Sequence, residues 1–410
     1  MKVLHLRTGC RLHFGLMELA TEEPLRYAGL GLMLDQPGFE LSFTAADHRT
    51  GDLSTVDSLA TDSLATNSRA TNSRASTPGV ATAVTVDASE AELPNASIRS
   101  DSAELKLEYE HRMAAVAKQH LAFACEAAAA HGSSACHIRL LSALPMHSGL
   151  GAGTQLACAV ATGLELFSRG EQTGSSPAGI STTEDWHSVL SVQPPISTRW
   201  LTQAAGRGLR SAIGLFGFLH GGLILDRGYA VGTAQDAGAA GESCPSARPL
   251  AVKNTQIVSA WRTVLIAPQH QQSVSGVKEA EWMAELGSLP NPRRIDMLAL
   301  AQQAFTLASL GDRFADFTHC LDQYMELAGQ LFSRYQGGLY NGEDVATAVE
   351  CARRVGLLGI GQSSWGPTVF GFAENQAKAQ LYAAQLTDLR PDWCVQVARP
   401  TAHAAEFRWQ

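Results

Sequence analysis

The sequence predicts an α+β protein built of two halves, and three observations carry this prediction. Hydrophobic residues make up 45% of the chain, enough for a sizeable core, which excludes a wholly disordered protein. A length of 410 residues suggests two domains, or one large domain with insertions. Strand-like and helix-like segments occur on both sides of a stretch rich in Gly, Ala, Ser and Pro. We therefore expect a first domain at 1–230, a linker at 231–258 and a second domain at 259–410.

Short apolar runs and helical spacing predict the elements of the first half. Strands are expected at Val3–Arg7, Leu12–Leu16, Gly29–Leu34, Phe39–Phe43 and His137–Leu141, with a strand pair around His220-Gly-Gly222. Helices are expected at Glu108–His131, Thr154–Ser168 and Trp200–Ala205. The helix at 154–168 carries Leu156, Val160, Leu164 and Phe167 on one face, which predicts that this face is buried.

The second half repeats this mixture of elements. Strands are expected at Thr263–Ala267, Val369–Phe372 and, as the closing strand, Trp393–Val397. Helices are expected at Leu298–Leu310, Phe314–Leu331 and Gln376–Gln385. The stretch 355–368 is interpreted as a Gly-rich turn.

The stretch 47–96 differs from the rest because it has no aromatic residue and contains a tandem pentapeptide at 57–76. A period of five residues matches neither a helix nor a strand, so it cannot build a lasting apolar face. We predict a disordered, duplicated insertion here. A regulatory or partner-binding segment is the alternative.

Charge and cysteine usage limit the classes of function. The net charge of −8 argues against a nucleic-acid surface, which usually needs a basic excess. The eight cysteines show no CxxC pair and no zinc-finger spacing, which is typical of reduced thiols in a cytoplasm. The first residues lack the apolar core of a signal peptide, and no apolar stretch is long enough to span a bilayer. We expect a soluble cytoplasmic protein without membrane or nucleic-acid partners.

The strongest local signal is a Gly-rich turn that opens the helix at 154–168. Glycines let the backbone approach an anion closely, and a helix start offers unpaired N–H groups and a positive dipole end. We expect a diphosphate or triphosphate to bind here, although a tight turn that serves only packing is the alternative and the spacing is neither Rossmann nor Walker A. The predicted binding residues are Gly149, Gly151, Ala152, Gly153, Thr154 and Gln155.

A second loop, 206–214, places Arg207 and Arg210 among glycines. Arginine makes bidentate contacts with phosphate or carboxylate, so these residues are candidates for anion binding, with Arg7 and Arg11 as possible additions. The alternative for any one of them is an exposed, solvated side chain.

A third small-residue loop, 359–367, supplies hydrogen-bond donors and one large ring. We predict that Gln362, Ser363, Ser364 and Trp365 contact a ligand, the Trp ring by offset stacking. A Trp that caps the C-terminal core is the alternative. Two further sets of candidates flank the loops, and the sequence does not choose among their members. His13, His147 and His220 are candidate functional histidines. Glu18, Asp35 and Asp226 are candidate ligands of Mg²⁺ or proton acceptors.

Taken together, these motifs resemble one known family. The segment 145–155 is similar to the phosphate loop of GHMP kinases, and the full set resembles the β-ribofuranosylaminobenzene 5′-phosphate synthase family of the GHMP superfamily. The resemblance spans nearly the whole chain except the inserts. Its matching pieces are Arg11-Leu-His-Phe-Gly15, 149–155, Gly206-Arg-Gly-Leu-Arg-Ser211 with Ile213-Gly214, His220-Gly-Gly222 and Gly361-Gln-Ser-Ser-Trp-Gly-Pro-Thr368.

The resemblance implies a GHMP fold with a ribosomal protein S5-like N-terminal half and a ferredoxin-like C-terminal half. It implies that 5-phosphoribosyl diphosphate reacts with 4-aminobenzoate or 4-hydroxybenzoate to a C-riboside, releasing CO₂ and pyrophosphate, in tetrahydromethanopterin biosynthesis. A homodimer is also implied, and Mg²⁺ is possible with the diphosphate substrate, although no metal ligand can be assigned. The candidates for catalysis are Arg11, His13, Arg207 and Arg210.

Two other functions stay open. An ATP-dependent GHMP-type small-molecule kinase needs Mg²⁺ and usually an acidic or Ser residue at the phosphate loop, where this chain has Ala152. The third loop of the kinases is also a denser glycine run than 362–366, which favours the synthase. A catalytically silent ligand-binding homologue is the other alternative. Ala212 replaces a Gly of the synthase pattern, which matters only if this position needs a positive φ.

Overall fold

The computed structural model describes residues 2–18, 25–45, 84–89, 91–92, 102–127, 136–173, 185–193, 195–208, 211–230, 252–268, 277–286 and 292–410. The strands are β1 (Leu4–Glu18), β2 (Leu25–Arg26), β3 (Ala28–Ala45), β4 (Val84–Asp87), β5 (Cys136–Ser142), β6 (His187–Ser188), β7 (Leu223–Asp226), β8 (Tyr229–Ala230), β9 (Val252–Thr255), β10 (Arg262–Ala267), β11 (Leu358–Gln362), β12 (Val369–Ala373), β13 (Cys394–Ala398) and β14 (Glu406–Trp409). The helices are α1 (Ser102–Ala127), α2 (Ala152–Thr173), α3 (Thr198–Ala205), α4 (Ile213–His220), α5 (Val277–Leu286), α6 (Arg294–Leu307), α7 (Phe314–Gln336), α8 (Glu343–Val355) and α9 (Gln376–Leu389).

The first half is built on an eight-stranded sheet. Six strands follow the order β4-β5-β3-β1-β14-β6, while β7 pairs with β3 and β9 pairs with β7. All neighbours are antiparallel except β4 and β5. Helices α1 to α4 pack on this sheet and on one another. The mixture of sheet and helices confirms the expected α+β class.

Two long strands replace the four short ones expected at the N-terminus. The segments Val3–Arg7 and Leu12–Leu16 are one strand, β1, which passes through a register shift between Thr8 and Cys10. A Cβ at Gly9 would lie 1.8 Å from the carbonyl oxygen of Leu34, so the glycine permits a close strand crossing rather than a turn. The segments expected at 29–34 and 39–43 likewise merge into β3.

The helices of the first half were predicted with mixed success. The face of α2 that carries Leu156, Val160, Leu164 and Phe167 is buried, as predicted. The strand pair expected around His220 is wrong, because the residues before Gly221 form α4 and only those after Gly222 form a strand, β7. The run Ile213–Leu219 is apolar on every side, so its pattern cannot distinguish a helix from a strand. Ala212 has φ −83°, so this position needs no glycine.

The second half carries a four-stranded antiparallel sheet with the order β11-β12-β10-β13. In order of occurrence, this is 2-3-1-4, the strand order of a ferredoxin-like fold. The expected turn at 355–368 is wrong in part, since β11 lies inside it, and α5 and α8 were not predicted. The strand expected at Trp393–Val397 is confirmed as β13, but it is not the closing strand, because β14 follows it.

The predicted insertion at 47–96 contains one ordered element. Strand β4 pairs in parallel with β5, so the expected disorder is wrong for its four residues. Val84, Thr85 and Val86 are buried there, because a short run of β-branched residues packs well on a sheet. The pentapeptide repeat at 57–76 lies outside the described residues.

The two ends of the second half reach into the first sheet. β9, which lies in the predicted linker, pairs with β7, and β14 pairs with β1 along Leu4–Arg7. The domain boundaries stay a prediction, and these pairings show that segments beyond residue 230 complete the first sheet. No helix within the described ranges is long and apolar enough to cross a membrane.

Candidate functional site

The three loops singled out in the sequence meet at one pocket of about 680 Å³. Its walls come from the N-terminus of α2, from the loop before α4, from the middle of β1, from α5 and α7, and from the loop after β11. A long helix, α1, adds one residue, Arg112. The pocket therefore contains residues from both halves of the chain.

The turn before α2 requires glycine at two positions. Gly149 and Gly151 have φ of +81° and +79°, a region that side chains rarely adopt. A Cβ at Gly149 would also lie 2.3 Å from the carbonyl oxygen of Ser363, and one at Gly151 would lie 2.6 Å from Cγ of Arg11. The turn thus lets the C-terminal loop and Arg11 pack directly against the start of α2.

Two arginines flank the N-terminus of α2. A Cβ at Gly153 would lie 3.6 Å from Nη2 of Arg207 and 3.7 Å from Nη1 of Arg112. Arg112 pairs with Glu108 at 2.8 Å, whereas the guanidinium of Arg207 has no ion pair or hydrogen bond with any residue that the structure describes. Burial and the neighbouring Arg112 lower the pKa of Arg207. The N–H groups of Thr154 and Gln155 already donate to the carbonyl oxygen of Gly151. Positive charge, together with the positive dipole end of the helix, still makes this end of the pocket suited to an anion.

Sequence reasoning missed Arg112. It lies within a helix far along the chain from the Gly-rich loop, and its spacing to Glu108 is typical of an ordinary surface ion pair. His147, which was a candidate, joins the same group, since its Nε2 lies 3.1 Å from Nη2 of Arg112 and 3.3 Å from Oε1 of Glu108. Only the tertiary packing of α1 against α2 brings these residues together.

Arg11 lies beneath the Gly-rich turn. Its Nη1 donates to the carbonyl oxygen of Gly149 at 3.1 Å. Burial lowers the pKa of Arg11 to about 10, while Glu279 opposes this shift, so the guanidinium stays charged at neutral pH. Arg11 therefore supports the turn and adds positive charge to the pocket.

His13 is buried and held by the protein on several sides. Its Nδ1 accepts the backbone N–H of Gly15 at 3.2 Å, and its Nε2 lies 3.3 Å from Oγ of Ser211. Burial, followed by the charge of Arg11, holds the pKa of His13 well below its ordinary value of 6.5. A neutral imidazole with both nitrogens engaged is poorly suited to accept a proton from a substrate.

Two predicted ligand contacts lie behind the pocket wall. Gln155 is fully buried, donates from Nε2 to the carbonyl oxygen of Gly214 at 2.9 Å and accepts from Thr8. Ser363 is also fully buried, donates to the carbonyl oxygen of Gly149 at 2.7 Å and accepts the backbone N–H of His13. These two residues position the loops instead of facing the pocket.

The other residues of the third loop line the pocket. Gln362 and Ser364 face it, and Gln362 also accepts the backbone N–H of Asn341 at 2.8 Å. Trp365 is nearly buried and packs against Phe332 and Trp282, with ring centroids 4.9 Å and 5.4 Å apart. Trp365 thus belongs to a small apolar cluster and also lines the pocket, while its stacking on a ligand stays a prediction.

The pocket lining consequently combines two groups of side chains, which we call its two ends. The charged end is the start of α2 with Arg112 and Arg207. The aromatic end is mainly apolar, although the carboxylate of Glu279, on the same helix as Met283, also lines the pocket. The apolar residues of this end are Leu16, Met283, Met325, Phe332 and Trp365.

Several other candidates lie away from the pocket or outside the described residues. Arg7 pairs with Glu406, and Asp35 pairs with Arg399. His220 packs against Phe216. Asp226 is buried and accepts the backbone N–H groups of Ala212 and Gly228. Arg210 and the side chain of Glu18 lie outside the described residues. Within the described ranges, no group of three His, Cys, Asp or Glu residues is placed to hold a metal ion.

Comparisons with known proteins agree with this fold. Residues 320–389 match the family described as GHMP kinases C terminal. A solved mevalonate pyrophosphate decarboxylase from Streptococcus pyogenes has a TM-score of 0.53 at 9% identity, covering 98% of this chain and 97% of that one. A putative sugar kinase from Campylobacter jejuni has a TM-score of 0.50 at 12% identity, covering 100% and 99%. The chain therefore has a GHMP-kinase-like fold, and part of its C-terminal half matches a GHMP kinase family.

The sequence is also similar to two curated proteins, each named beta-ribofuranosylphenol 5'-phosphate synthase. The one from Methanothermobacter thermautotrophicus is 24% identical over 242 residues, which is 58% of this chain and 64% of that protein. The one from Methanocaldococcus jannaschii is 24% identical over 249 residues, which is 60% of this chain and 66% of that protein. The match spans just under two thirds of each relative. The resemblance expected from the motifs is confirmed.

Proposed function

We propose that this chain is a decarboxylating synthase that joins 5-phosphoribosyl diphosphate to 4-hydroxybenzoate or 4-aminobenzoate and forms an aryl C-riboside 5′-phosphate. The observation that carries the proposal is the pocket with two ends, in which an arginine pair at the start of α2 faces the same cavity as an aromatic cluster. The names of the two curated relatives support it.

The charged end suits the diphosphate. Arg207 has no acidic partner in the described part of the chain, and the charge of Arg112 lowers its pKa further. A bound diphosphate neutralises both guanidinium groups and accepts from the N–H groups at the start of α2. These donors also stabilise the negative charge that pyrophosphate gains as it departs.

The aromatic end suits the ring of the acid. Trp365 and Phe332 offer ring edges and faces, and Met283 and Leu16 add apolar surface. An aryl ring bound there replaces water with apolar and ring contacts. The pocket therefore holds both substrates next to each other, which raises their effective concentration.

The reaction balances without any proton transfer. The ring carbon that bears the carboxylate forms a bond to C1 of the ribose, while the bond from C1 to pyrophosphate breaks and its electron pair leaves with pyrophosphate. The bond between ring and carboxylate then breaks, its electron pair restores the aromatic ring, and CO₂ departs. The neutral, fully engaged His13 is compatible with this chemistry, because no general base is required.

A substrate screen tests the proposal. Purified protein receives 5-phosphoribosyl diphosphate with carboxyl-labelled 4-hydroxybenzoate or 4-aminobenzoate, and labelled CO₂ is counted. We expect CO₂ with at least one acid, and the better acid identifies the substrate. No CO₂ with either acid contradicts the proposal. ADP formation from ATP and an alcohol acceptor would support the kinase alternative.

Three further statements are proposed from the family resemblance. We propose a role in tetrahydromethanopterin biosynthesis, a cytoplasmic location and a homodimer. Analytical ultracentrifugation tests the last of these, since a single species at the mass of one chain, 43.6 kDa, would contradict it.

A further inference from the structure

We propose that the hydroxyl of Ser211 donates a hydrogen bond to a phosphate oxygen of the bound substrate, and that His13 fixes this hydroxyl as a donor. Ser211 lines the pocket directly before α4. The inference rests on the proposed function for the identity of the phosphorylated substrate, and it adds a contact that the motifs did not reveal.

The hydrogen bonds of His13 determine which ring nitrogen carries the proton. The backbone N–H of Gly15 donates to Nδ1 at 3.2 Å, so Nδ1 is the unprotonated nitrogen. The ring proton is consequently on Nε2, which lies 3.3 Å from Oγ of Ser211. The imidazole therefore donates to the serine and does not accept from it.

Ser211 also accepts from the backbone. The N–H of Ile213 donates to its Oγ at 3.3 Å. A hydroxyl has two acceptor positions and one donor, so both acceptor positions are occupied by protein N–H groups. The hydroxyl proton has no acceptor among the residues that the structure describes, and the open side of Ser211 is the pocket. Toward a ligand, the Ser211 hydroxyl can therefore act only as a hydrogen-bond donor.

The neighbours of Ser211 indicate which ligand atom it meets. Arg207 precedes it in the same loop, and α4 packs against α2, where a Cβ at Gly214 would lie 3.0 Å from Cγ2 of Thr154. Ser211 is thus on the side of the pocket that holds the positive charge. Phosphate oxygens accept hydrogen bonds and cannot donate when ionised, which matches a serine that can only donate.

The backbone around His13 holds this arrangement in place. The N–H of His13 donates to Oγ of Ser363 at 3.0 Å, and its carbonyl oxygen accepts from the N–H of Ser364 at 2.9 Å. The C-terminal loop therefore fixes His13, and His13 fixes Ser211. His13 is a positioning residue in this account, and Ser211 is the residue that touches the substrate.

Binding measurements test the proposal independently of turnover. Isothermal titration calorimetry on the full chain uses inorganic pyrophosphate, ribose 5-phosphate and 4-hydroxybenzoate as separate probes, with Ser211→Ala, Ser211→Thr and the wild type. We expect Ser211→Ala to weaken one of the two phosphate probes by roughly tenfold or more, because a hydrogen bond to a charged acceptor is lost. Ser211→Thr retains the hydroxyl and should restore most of the affinity. The affected probe identifies which phosphate Ser211 meets.

Three results would overturn the proposal. These are unchanged binding of both phosphate probes to Ser211→Ala, a loss confined to 4-hydroxybenzoate, and failure of the wild type to bind either phosphate probe. Ser191→Ala is the matched control, because the exposed Ser191 hydroxyl donates to the backbone of Ser188 away from the pocket. Thermal melts of each variant identify losses that come from unfolding.

A double-mutant cycle tests the role of His13. His13→Leu removes the N–H that holds Ser211, so it should weaken the same phosphate probe, and adding Ser211→Ala should cost little more. Fully additive losses would contradict the coupling. If the wild type forms no CO₂ and Ser211→Ala still loses phosphate affinity, the proposed reaction fails while the phosphate contact stands.

Discussion

At the scale of single residues, the pocket carries positive charge that the acidic residues around it neutralise only in part. Arg112 shares Glu108 with His147, and Arg207 has no acidic partner in the described part of the chain. Burying an unpaired charge such as that of Arg207 costs free energy, which a bound anion would offset. If a diphosphate binds here as proposed, its affinity should depend on each guanidinium.

Replacing Arg207 tests this dependence. We expect Arg207→Ala to raise KM for 5-phosphoribosyl diphosphate at least tenfold, since roughly 1.5–3 kcal/mol is lost with a hydrogen bond to a charged group. Arg207→Lys keeps the charge without the planar fork and should fall in between. Steady-state kinetics measure both, and Arg169→Ala, in a pair with Glu165 further along α2, is the control. An unchanged KM in Arg207→Ala would remove this residue from the site.

Arg112 gives an independent test, because sequence reasoning did not single it out. Arg112→Ala should raise the same KM, and the effect should shrink at high salt if the contact is electrostatic. A variant with normal kinetics at low salt would mean that Arg112 serves only its pair with Glu108.

The lowered pKa of His13 predicts how stability changes with pH. The unfolded chain binds a proton at this residue near pH 6.5, while the folded chain does not, so the free energy of unfolding falls as the pH drops below 6.5 and gains nothing above it. The loss is at most about 1.4 kcal/mol per pH unit for one proton. His13→Gln should therefore lose less stability than the wild type between pH 7.5 and pH 5.5 in urea unfolding. Equal losses in the two proteins would argue against a buried, neutral His13.

At the scale of elements, the Gly-rich turn before α2 is the joint at which the two halves meet. The carbonyl oxygens of Ser363 and Gly366 would lie 2.3 Å and 2.9 Å from a Cβ at Gly149. The backbone N–H of Thr368 also donates to the carbonyl oxygen of Ser148. The turn therefore serves two purposes, since it places the start of α2 in the pocket wall and it receives the C-terminal loop.

Two glycines with nearly the same backbone conformation separate the cost of a left-handed backbone from the cost of displacing the C-terminal loop. Gly149 and Gly337 have nearly equal φ, +81° and +78°, but a Cβ at Gly337 would have no atom within 4 Å. Gly337→Ala should cost about 1–2 kcal/mol of stability, from the left-handed backbone alone, and leave activity intact. Gly149→Ala should lower the stability further and abolish most of the activity, because the new Cβ displaces the loop that contains Ser363 and Gly366. Equal stability and activity in the two variants would contradict the role of Gly149 as a joint.

The elements that the sequence predicted well are those with a clear period. Helix α2 was placed within a few residues because its apolar positions recur on one face. Helix α4 was missed because it is apolar all round. The breaks expected within β1 and β3 are absent, because the glycines there allow close contact between the strands. The Gly-rich loops of the site were predictable from composition, whereas Arg112 and the hydrogen bond from His13 to Ser211 exist only after packing.

At the scale of the whole molecule, the chain ends tie the two halves together. β14 pairs with β1, Phe407 and Trp409 are buried, and the Trp409 ring stacks on Phe167 at 6.1 Å. No local pattern could show that the last strand returns to the first sheet, because the pairing joins residues from opposite ends of the sequence. Such long-range pairing predicts that the halves unfold together.

Truncating Phe407 tests this coupling. Phe407→Ala should lower the free energy of unfolding by about 3–5 kcal/mol, the usual cost of emptying a buried Phe site, and the protein should still unfold in one transition. Tryptophan fluorescence and far-UV circular dichroism in urea measure both properties. Leu381→Ala, at an exposed position of α9, is the control. Two separate transitions would show that the halves are independent.

If one pocket joins loss of pyrophosphate to loss of CO₂, the two products must form together, and counting both in the same reaction tests this. Wild-type protein with 5-phosphoribosyl diphosphate and the preferred labelled acid should release pyrophosphate and labelled CO₂ in equal amounts, and Arg207→Ala should lower both together. Release of pyrophosphate without CO₂ would contradict a single site that couples the two losses. The same contradiction would follow if Arg207→Ala released both products at the wild-type rate.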